Sequence, residues 1–377
     1  MKRSFADILQ DLEGERARKL ARKLPDWAAA GAEIPGALAL EQCSSQAAAA
    51  YKAELVRALA APRQPARILD LTGGLGVDAQ AFSRVARQLT CFERDAALAA
   101  AAERNFARLG STNIEVRCES VTPDTELPEA DLIYADPARR DAAGRKVFLL
   151  EDCSPDILRL LPLLRRKAPA ILLKLSPMAD LAMLAGRLSP DLRQIHIVES
   201  EGEVKELLCL LLPGTDGEPE PELSVVRLGE AVLRMTMREE HAAAPAYAAE
   251  IRTGETLFEP APALLKAGAF NLPCARWGLR KLAPSTHLYL AAESGPDAEA
   301  APFFKARRIR EILPFGSEAF KRIRQRRLRA EVIARDLPVG SAELQNKMGV
   351  SPGGDARIFA CRQADGRAVL LITEKIS

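Results

Sequence analysis

Between residues 67 and 212, short apolar runs alternate with longer segments whose apolar residues recur at helical spacing. The apolar runs predict strands and the segments between most of them predict helices, so this α/β region should be a parallel sheet with helices on both faces. The link 199–205 is too short for a parallel crossover, and the last two strands should therefore form an antiparallel edge hairpin. The predicted strands are 67–71, 89–93, 114–117, 131–135, 170–175, 193–198 and 206–212, and the predicted helices are 77–87, 95–109, 153–167 and 178–188.

The flanking regions have different patterns. Residues 1–61 are rich in helix formers, and a capping serine predicts a helix from 44–46 to Ala61, on which we expect Lys52 to be solvated. The turn-rich stretch 212–219 predicts a domain boundary. Beyond it, strands near 223–226 and 287–290 and a helix near 260–268 predict a small α+β module. The predicted domains are 1–61, 62–213, 220–300 and 301–377.

The positive charge of the chain is concentrated in the last of these predicted domains. The net charge of the chain is +2, but residues 302–377 carry sixteen Lys and Arg against eight Asp and Glu. Their pattern predicts a strongly basic opening helix, a tight loop at 349–355 and closing strands at 357–361 and 367–372. The excess of positive charge indicates either a polyanionic partner or a solvated helical face.

Cysteine and histidine usage limits the possible chemistry. The seven cysteines lie far apart without a CxxC pair, and the three histidines have no metal-ligand spacing. This pattern argues against a metal site and against a disulfide framework. The N-terminal residues are charged throughout, and no apolar run approaches the ~20 residues of a membrane helix. We therefore expect a cytoplasmic protein without a membrane or metal partner.

A glycine turn, Thr72-Gly73-Gly74-Leu75-Gly76, joins the first predicted strand to a helix and can offer backbone N–H groups to a nucleotide-like ligand. Asp70 precedes it, and a carboxylate there suits a cationic ligand rather than a pyrophosphate. Glu93 ends the next strand, where a carboxylate can accept both ribose hydroxyls. S-adenosylmethionine has the ribose and the positive charge; a nicotinamide site with a degenerate fingerprint is the alternative. The cofactor-binding candidates are Asp70, Thr72, Gly73, Gly74, Gly76, Glu93, Arg94, Glu119, Ser120 and Asp136.

The fourth predicted strand ends in Asp136-Pro137, which would hold a carboxylate close to a transferable methyl group. Asp136 is expected to accept a hydrogen bond from a nucleophilic N–H and to orient its lone pair for in-line attack. A simple Asp-capped turn with two surface arginines is the alternative. The substrate-side candidates nearby are Arg139, Arg140 and Lys174, the first two for phosphate or base contacts.

The expected target atom is a nitrogen or an oxygen rather than C5 of a pyrimidine. C5 methylation generally needs a cysteine nucleophile, whereas Ser176 stands before Pro177 at the end of the fifth strand. Cys153 is nearest in sequence, and we expect it to be a small buried residue.

With these motifs in place, residues 66–212 resemble class I S-adenosylmethionine-dependent methyltransferases through LDLTGGLGVD, FERD and DPARR. The longer pattern with EDCSPD, KELL, FEPAPALLKAGAF and HLYL resembles bacterial RNA methyltransferases with a THUMP-like C-terminal domain. The resemblance implies a Rossmann-like seven-stranded sheet, Asp136 and Pro137 as the catalytic pair, a ferredoxin-like module near 250–295 and a THUMP-like module near 303–377. Ala138 and Arg139 replace a proline and a base-stacking aromatic of amino-group methyltransferases, which leaves the target atom open.

The basic end of the chain, defined as residues 302–377, supports RNA as the expected partner. From 303 to 330, ten Lys and Arg face two acids, and the interleaved phenylalanines have the spacing of a core stripe. The expected function is methylation of structured RNA, either tRNA or rRNA. The alternatives are a small-molecule or protein methyltransferase, and a non-catalytic RNA-binding protein that retains affinity for S-adenosylmethionine. The RNA-binding candidates in this region are Arg307, Arg308, Arg324 and Arg327.

Overall fold

The computed structural model describes residues 5–138, 150–213, 220–291 and 295–376, with only the backbone for 5–13 and Asp152. The chain forms two compact units, and each has its own sheet. The first unit takes the residues up to 198 together with 205–221, and the second takes 199–204 and the chain from 222 onward. Two of the candidates, Arg139 and Arg140, lie outside the described residues.

Seven strands of the first unit are hydrogen-bonded in the order β3-β2-β1-β4-β5-β7-β6. The first five are parallel, and β7 pairs antiparallel with β5. The seven predicted strands and the reversed direction of β7 are confirmed, whereas the predicted place of the hairpin at the sheet edge is wrong, because the sheet continues beyond β6. The strands are β1 (Arg67–Asp70), β2 (Gln88–Phe92), β3 (Ile114–Arg117), β4 (Leu132–Ala135), β5 (Ile171–Leu175), β6 (Leu192–Ser200) and β7 (Glu203–Leu211).

Eight helices are described in the first unit, and the first four form the predicted helical N-terminal segment. Ser45 caps the fourth helix by accepting a hydrogen bond from the Ala48 N–H, at 3.2 Å. The prediction that Lys52 is solvated is wrong, because its side chain is fully buried. The helices are α1 (Phe5–Lys23), α2 (Pro25–Ala29), α3 (Ala37–Gln42), α4 (Gln46–Ala60), α5 (Val77–Ser83), α6 (Ala96–Arg108), α7 (Ile157–Lys167) and α8 (Leu181–Leu188).

The second unit contains an antiparallel hairpin, β8 with β9, and a seven-stranded sheet in the order β11-β12-β10-β13-β16-β15-β14. One continuous sheet thus runs through the residues predicted as two small modules, because β10 and β13 pair antiparallel. The elements are β8 (Glu222–Arg227), β9 (Ala231–Met235), α9 (Met237–Ala242), β10 (Thr256–Pro260), α10 (Pro262–Lys266), α11 (Leu272–Trp277), β11 (Leu279–Lys281), β12 (Tyr289–Ala291), β13 (Phe304–Pro314), α12 (Ser317–Gln325), β14 (Arg329–Arg335), α13 (Ser341–Met348), β15 (Ser351–Arg362) and β16 (Ala368–Lys375).

Two predictions for the basic end are wrong. The expected opening helix is the long strand β13, in which Phe304, Ile309 and Leu313 are buried between exposed cations. Alternating burial of this kind is a strand pattern, which the many arginines obscure. The expected tight loop at 349–355 is largely the start of β15, where a register shift opposite Arg329 accommodates the extra residues.

The phenylalanines of the basic end form a core stripe, as their spacing predicts. Phe303 and Phe304 are buried. Phe315 and Phe320 pack edge to face with centroids 5.1 Å apart, against the core of the module. None of the helices in the described ranges is long and apolar enough to cross a membrane.

Candidate active site

The glycine turn, defined here as residues 72–76, lies directly against the end of β2. The Gly73 N–H donates to the Phe92 carbonyl at 2.7 Å. A Cβ at Gly73 would lie 2.4 Å from Cys91 Sγ, and one at Gly76 would lie 2.5 Å from Phe106 Cζ. Gly76 also has a φ of +89°, in the left-handed region. Close packing therefore excludes a side chain at both glycines, and at Gly76 the backbone conformation also favours glycine.

Glu93 lies immediately beyond β2 and faces this turn. Its Oε2 accepts a hydrogen bond from the Gly74 N–H at 2.6 Å, and its Oε1 accepts one from the Asp95 N–H at 2.7 Å. Each carboxylate oxygen therefore keeps acceptor capacity for one more donor. The two backbone bonds also hold the carboxylate in one orientation, as recognition of a ribose diol requires.

Asp70, the last residue of β1, is 1% exposed. Its Oδ1 accepts from the Thr72 N–H at 3.0 Å, while Oδ2 is buried with no hydrogen-bond partner among the described residues. Burial raises the pKa of this carboxyl to about 8, and the nearby carboxylates Asp78, Asp136 and Glu93 add to the effect. An orphaned, buried carboxyl of this kind suits a ligand that brings a donor or a positive charge.

Asp136 follows β4 and is joined to both neighbouring strands. Its N–H donates to Thr72 Oγ1 at 2.6 Å, and its Oδ2 forms an ion pair with Lys174 Nζ of β5. Burial lowers the pKa of Lys174, but Asp136, Glu206 and Asp78 outweigh it and raise the pKa above its ordinary value. Lys174 is therefore charged at neutral pH, and the Asp136 side chain remains 35% exposed.

The remaining candidates of the first unit are less closely tied to this group. Arg94 donates to Ser154 Oγ at 2.9 Å. Ser154 does not cap α7, because Asp156 occupies the N-cap position. Glu119 and Ser120 are exposed beyond β3, and Pro137 is buried. The structure thus brings together Asp70, Thr72, Gly73, Gly74, Gly76, Glu93, Asp136 and Lys174.

Sequence reasoning missed a buried polar cluster beside Lys174. Lys52 Nζ lies 3.0 Å from Asp78 Oδ1 and 2.9 Å from Glu206 Oε1, and the Tyr134 hydroxyl donates to Asp78 Oδ2 at 2.8 Å. A signal for Lys52 was present, since Ala48, Ala49 and Val56 lie three or four residues away and form the buried face of α4. No comparable pattern marks Glu206, which lies in β7.

The RNA-binding candidates of the second unit differ from one another. Arg307 is buried, donates to Thr373 Oγ1 at 2.9 Å and also binds the Asp355 carbonyl. Arg308 donates to the Gly254 carbonyl at 2.6 Å, and Arg324 binds the Lys347 carbonyl at the end of α13. Arg307 is therefore held by partners within its own unit, and its predicted contact with RNA stays a prediction. Arg327 is exposed and forms no ion pair with any residue that the structure describes.

Metal ligands do not converge anywhere in the described ranges: no group of three or more His, Cys, Asp or Glu there could hold an ion. All seven cysteines are free thiols.

The sheet order, the antiparallel β7 and the site at the carboxyl ends of β1, β2 and β4 define the first unit as a class I methyltransferase fold. In the second unit, residues 257–297 match a family described as a ferredoxin-like domain, and residues 305–375 match one described as THUMP domain-like. No curated protein matches the chain.

Solved structures extend this comparison to almost the whole chain. A crystal structure of a "putative methyltransferase" from Porphyromonas gingivalis W83 is 32% identical, covers 96% of this chain and 89% of its own, and superposes with a TM-score of 0.82. The chain belongs to the same family as this protein.

Two more distant structures match only part of the chain. An rRNA methylase from Streptococcus thermophilus is 11% identical, covers 43% of this chain and 94% of its own, and has a TM-score of 0.32. A "putative methyltransferase" from Streptococcus mutans in complex with SAH is 8% identical, covers 43% of this chain and 95% of its own, and has a TM-score of 0.34.

Proposed function

We propose that the chain is an S-adenosylmethionine-dependent methyltransferase that modifies a base nitrogen of structured RNA, either tRNA or rRNA. The observation that carries the proposal is the convergence of Glu93, the glycine turn and the Asp136–Lys174 pair at one edge of the sheet. The relationship to the Porphyromonas gingivalis protein supports the class of reaction. The THUMP domain-like match supports RNA as the acceptor.

The donor half of the site fits S-adenosylmethionine on two grounds. Glu93 has free acceptor capacity on both oxygens for the ribose hydroxyls, and Asp70 has an orphaned buried oxygen for a cationic or donating group. Gly73 keeps the turn against β2, because a side chain there would collide with Cys91. When bound, the donor supplies an electrophilic methyl group on a positively charged sulfur.

The acceptor half depends on Asp136. Lys174 occupies Oδ2 of this carboxylate, while the hydrogen bond from the Asp136 N–H to Thr72 fixes its place beside the glycine turn. The other oxygen then accepts a hydrogen bond from the N–H of the target base, which directs the nitrogen lone pair toward the methyl group. Catalysis on this account is chiefly positioning, and the proton leaves the methylated nitrogen after transfer.

The RNA would dock on the second unit through cations that the fold leaves available. Lys305, Lys321, Arg327 and Arg329 are exposed, and in the described part of the chain none of them pairs with a carboxylate. Arg308 and Arg324 keep part of their guanidinium groups exposed, although each also binds a carbonyl. Phosphate contacts of this kind make binding fall steeply as salt rises.

The test is methyl transfer in vitro. Protein is incubated with S-adenosylmethionine carrying a deuterated methyl group and with tRNA or rRNA from a strain that lacks the gene. Nucleoside mass spectrometry should then find a deuterated methyl group on one base. Binding of the donor without transfer to any RNA would contradict the proposal and favour the RNA-binding alternative, whereas transfer to protein or small molecules alone would favour the other alternative.

A further inference from the structure

The buried cluster beside the active site contains a lysine to which neither the fold nor the proposed reaction assigns a role. Lys52, on α4, has no exposed side-chain surface, and it bonds Asp78 of α5, Glu206 of β7 and Ser44 Oγ at distances of 2.9 to 3.0 Å. Ser44 and Tyr134 each donate to Asp78 Oδ2 at 2.8 Å. Four elements of the first unit, α4, α5, β4 and β7, and the loop before α4 therefore meet at this one ammonium group and its partners.

Lys174 lies at the border of this cluster. It bonds Asp136, and it pairs across the sheet with Leu208 of β7, two residues from Glu206, so that the Lys174 and Glu206 side chains lie on the same face of the sheet. Asp78 shares the Lys52 ammonium group with Glu206, and both carboxylates contribute to raising the pKa of Lys174 against the effect of burial. Three carboxylates thus attract one ammonium group. The contacts of the two lysines separate these carboxylates: Lys52 hydrogen-bonds Glu206 and forms an ion pair with Asp78, whereas Lys174 hydrogen-bonds Asp136.

We propose that Lys52 is a positioning residue for the reaction: by neutralising Asp78 and Glu206 it keeps Lys174 bonded to Asp136. The role of Asp136 itself rests on the proposed function. Lys52 contacts neither donor nor acceptor and acts through Lys174. In this way the N-terminal helical segment forms part of the active site of the first unit, since α4 supplies the charge on which the geometry of Asp136 depends.

The physical reason is the low tolerance of buried charge. Without Lys52, Asp78 and Glu206 would be buried beside each other with Lys174 as the nearest cation. An uncompensated buried carboxylate is strongly unfavourable, so Lys174 would shift toward these two groups or share its protons with them. Asp136 would then lose its partner and its fixed orientation.

The first experiment does not require activity. In protein labelled with ¹⁵N-lysine, the ammonium resonances of Lys52 and Lys174 are assigned from lysine substitutions and compared between variants. We expect Lys52→Met to shift the Lys174 resonance, and Lys52→Met with Glu206→Gln to return it part of the way. An unchanged Lys174 resonance in Lys52→Met would overturn the inference.

A matched control separates positioning from general loss of a buried lysine. Lys281, in the second unit, is 2% exposed and bonds Asn271 Oδ1 at 3.1 Å. Lys281→Met should leave the Lys174 resonance unchanged. If Lys52→Met does not fold, Asp136→Asn provides the reciprocal test, because freed Lys174 should turn to Asp78 and Glu206 and shift the Lys52 resonance. A Lys52 resonance identical to that of the wild type would then overturn the inference.

The second experiment measures function where transfer to RNA is detected. Lys52→Met should lower the turnover number by on the order of 10- to 100-fold while the dissociation constant of S-adenosylmethionine changes by less than about threefold. Equal effects on both quantities would overturn the positioning role. If the wild type transfers no methyl group, the proposed function fails, whereas the resonance test still decides the coupling between Lys52 and Lys174.

Discussion

Charged residues have different surroundings at the carboxyl ends of the strands in the first unit and on the arginine-rich surface of the second unit. At the first, three carboxylates, one buried and two half-buried, are each held by a backbone N–H or by a lysine. At the second, many arginines lie at the surface, and several already bind carboxylates or carbonyls of their own unit, as Arg310 does with Glu374 and Arg326 with Glu311. A count of charged residues therefore does not describe the first region, where the partner of each carboxylate matters. In the second region it overstates the number of arginines that are available to bind RNA.

The comparison shows for which charged residues the partners can be predicted from the sequence. A carboxylate at the end of a parallel strand has a place that topology decides, so its partners follow from the fold. A surface arginine has many partners within reach, and only the folded chain shows whether it is free. Arg307 and Arg327 have the same chemistry, yet the first is buried and the second is exposed.

The largest expected effect is on transfer. Asp136→Ala should lower the rate of methyl transfer to RNA by about 100- to 1000-fold, because it removes the group that orients the acceptor. The affinity for S-adenosylmethionine, measured by calorimetry, should change by less than about threefold. Glu103→Ala, at an exposed position on α6, is the control and should leave both quantities unchanged. Full transfer by the Asp136 variant would remove this residue from the mechanism.

The next effect concerns the donor. Glu93→Ala should weaken binding of S-adenosylmethionine by roughly 10- to 100-fold, since hydrogen bonds to a charged group contribute about 1.5–3 kcal/mol. Glu93→Gln should lose less, because the amide retains one acceptor oxygen. Calorimetric titration of the two variants beside the wild type provides the measurement. Equal affinities in all three proteins would show that Glu93 does not bind the ribose.

The next predictions compare two arginines of the second unit, Arg307 and Arg327, first in stability and then in RNA binding. Arg307→Ala should lower the free energy of unfolding by about 2 kcal/mol in denaturant titrations, because it leaves Thr373 and the Asp355 carbonyl without their donor. Arg327→Ala should change stability by less than about 0.5 kcal/mol.

In RNA binding, Arg327→Ala should have a larger effect than Arg307→Ala. Arg327→Ala should reduce the slope of log K against log salt by about 0.7 to 0.9, the change expected for one lost phosphate contact. Filter binding over a salt series measures it. A slope equal to that of the wild type would remove Arg327 from the interface, and a lower slope for a folded Arg307→Ala would return that residue to it.

A separate prediction, on stability rather than transfer or binding, is a pH dependence at Asp70. Its raised pKa of about 8 means that the folded protein keeps a proton that the unfolded chain has released, so its contribution to stability is complete below about pH 4 and is lost as the pH rises through 8. Relative to Asp70→Asn, the wild type should lose up to ~1.4 kcal/mol per pH unit in this window. Denaturant titrations at pH 5 and 8 measure the difference, and parallel stability curves would contradict it.

Much of the fold and part of the site could be predicted from the sequence. The seven strands, the antiparallel β7 and the places of Asp70, Glu93 and Asp136 depend on local apolar runs and on strand ends, which the sequence shows directly. The structure of 304–314 could not be deduced in the same way, because its arginines have no strong preference and the pairing with distant strands decides that it is extended.

Lys52 shows a second limit. A lysine among alanines on a helix is ordinarily solvated, and its burial depends on three partners 8, 26 and 154 residues away: Ser44, Asp78 and Glu206. Lys174 was recognised as a candidate from its place at the end of β5, but its bond to Asp136 required the neighbouring strand. Tertiary pairing of charges is therefore the part of the site that sequence spacing does not contain.

The central claim is that this chain methylates RNA through Asp136, and one cellular measurement tests it most directly. RNA nucleosides are compared by mass spectrometry between a strain that lacks the gene and the same strain complemented with the wild type or with Asp136→Ala. The account predicts one methylated nucleoside that is absent in the deletion, restored by the wild type and not restored by the variant at equal protein level. Identical nucleoside profiles in all strains, or equal restoration by the variant, would contradict it.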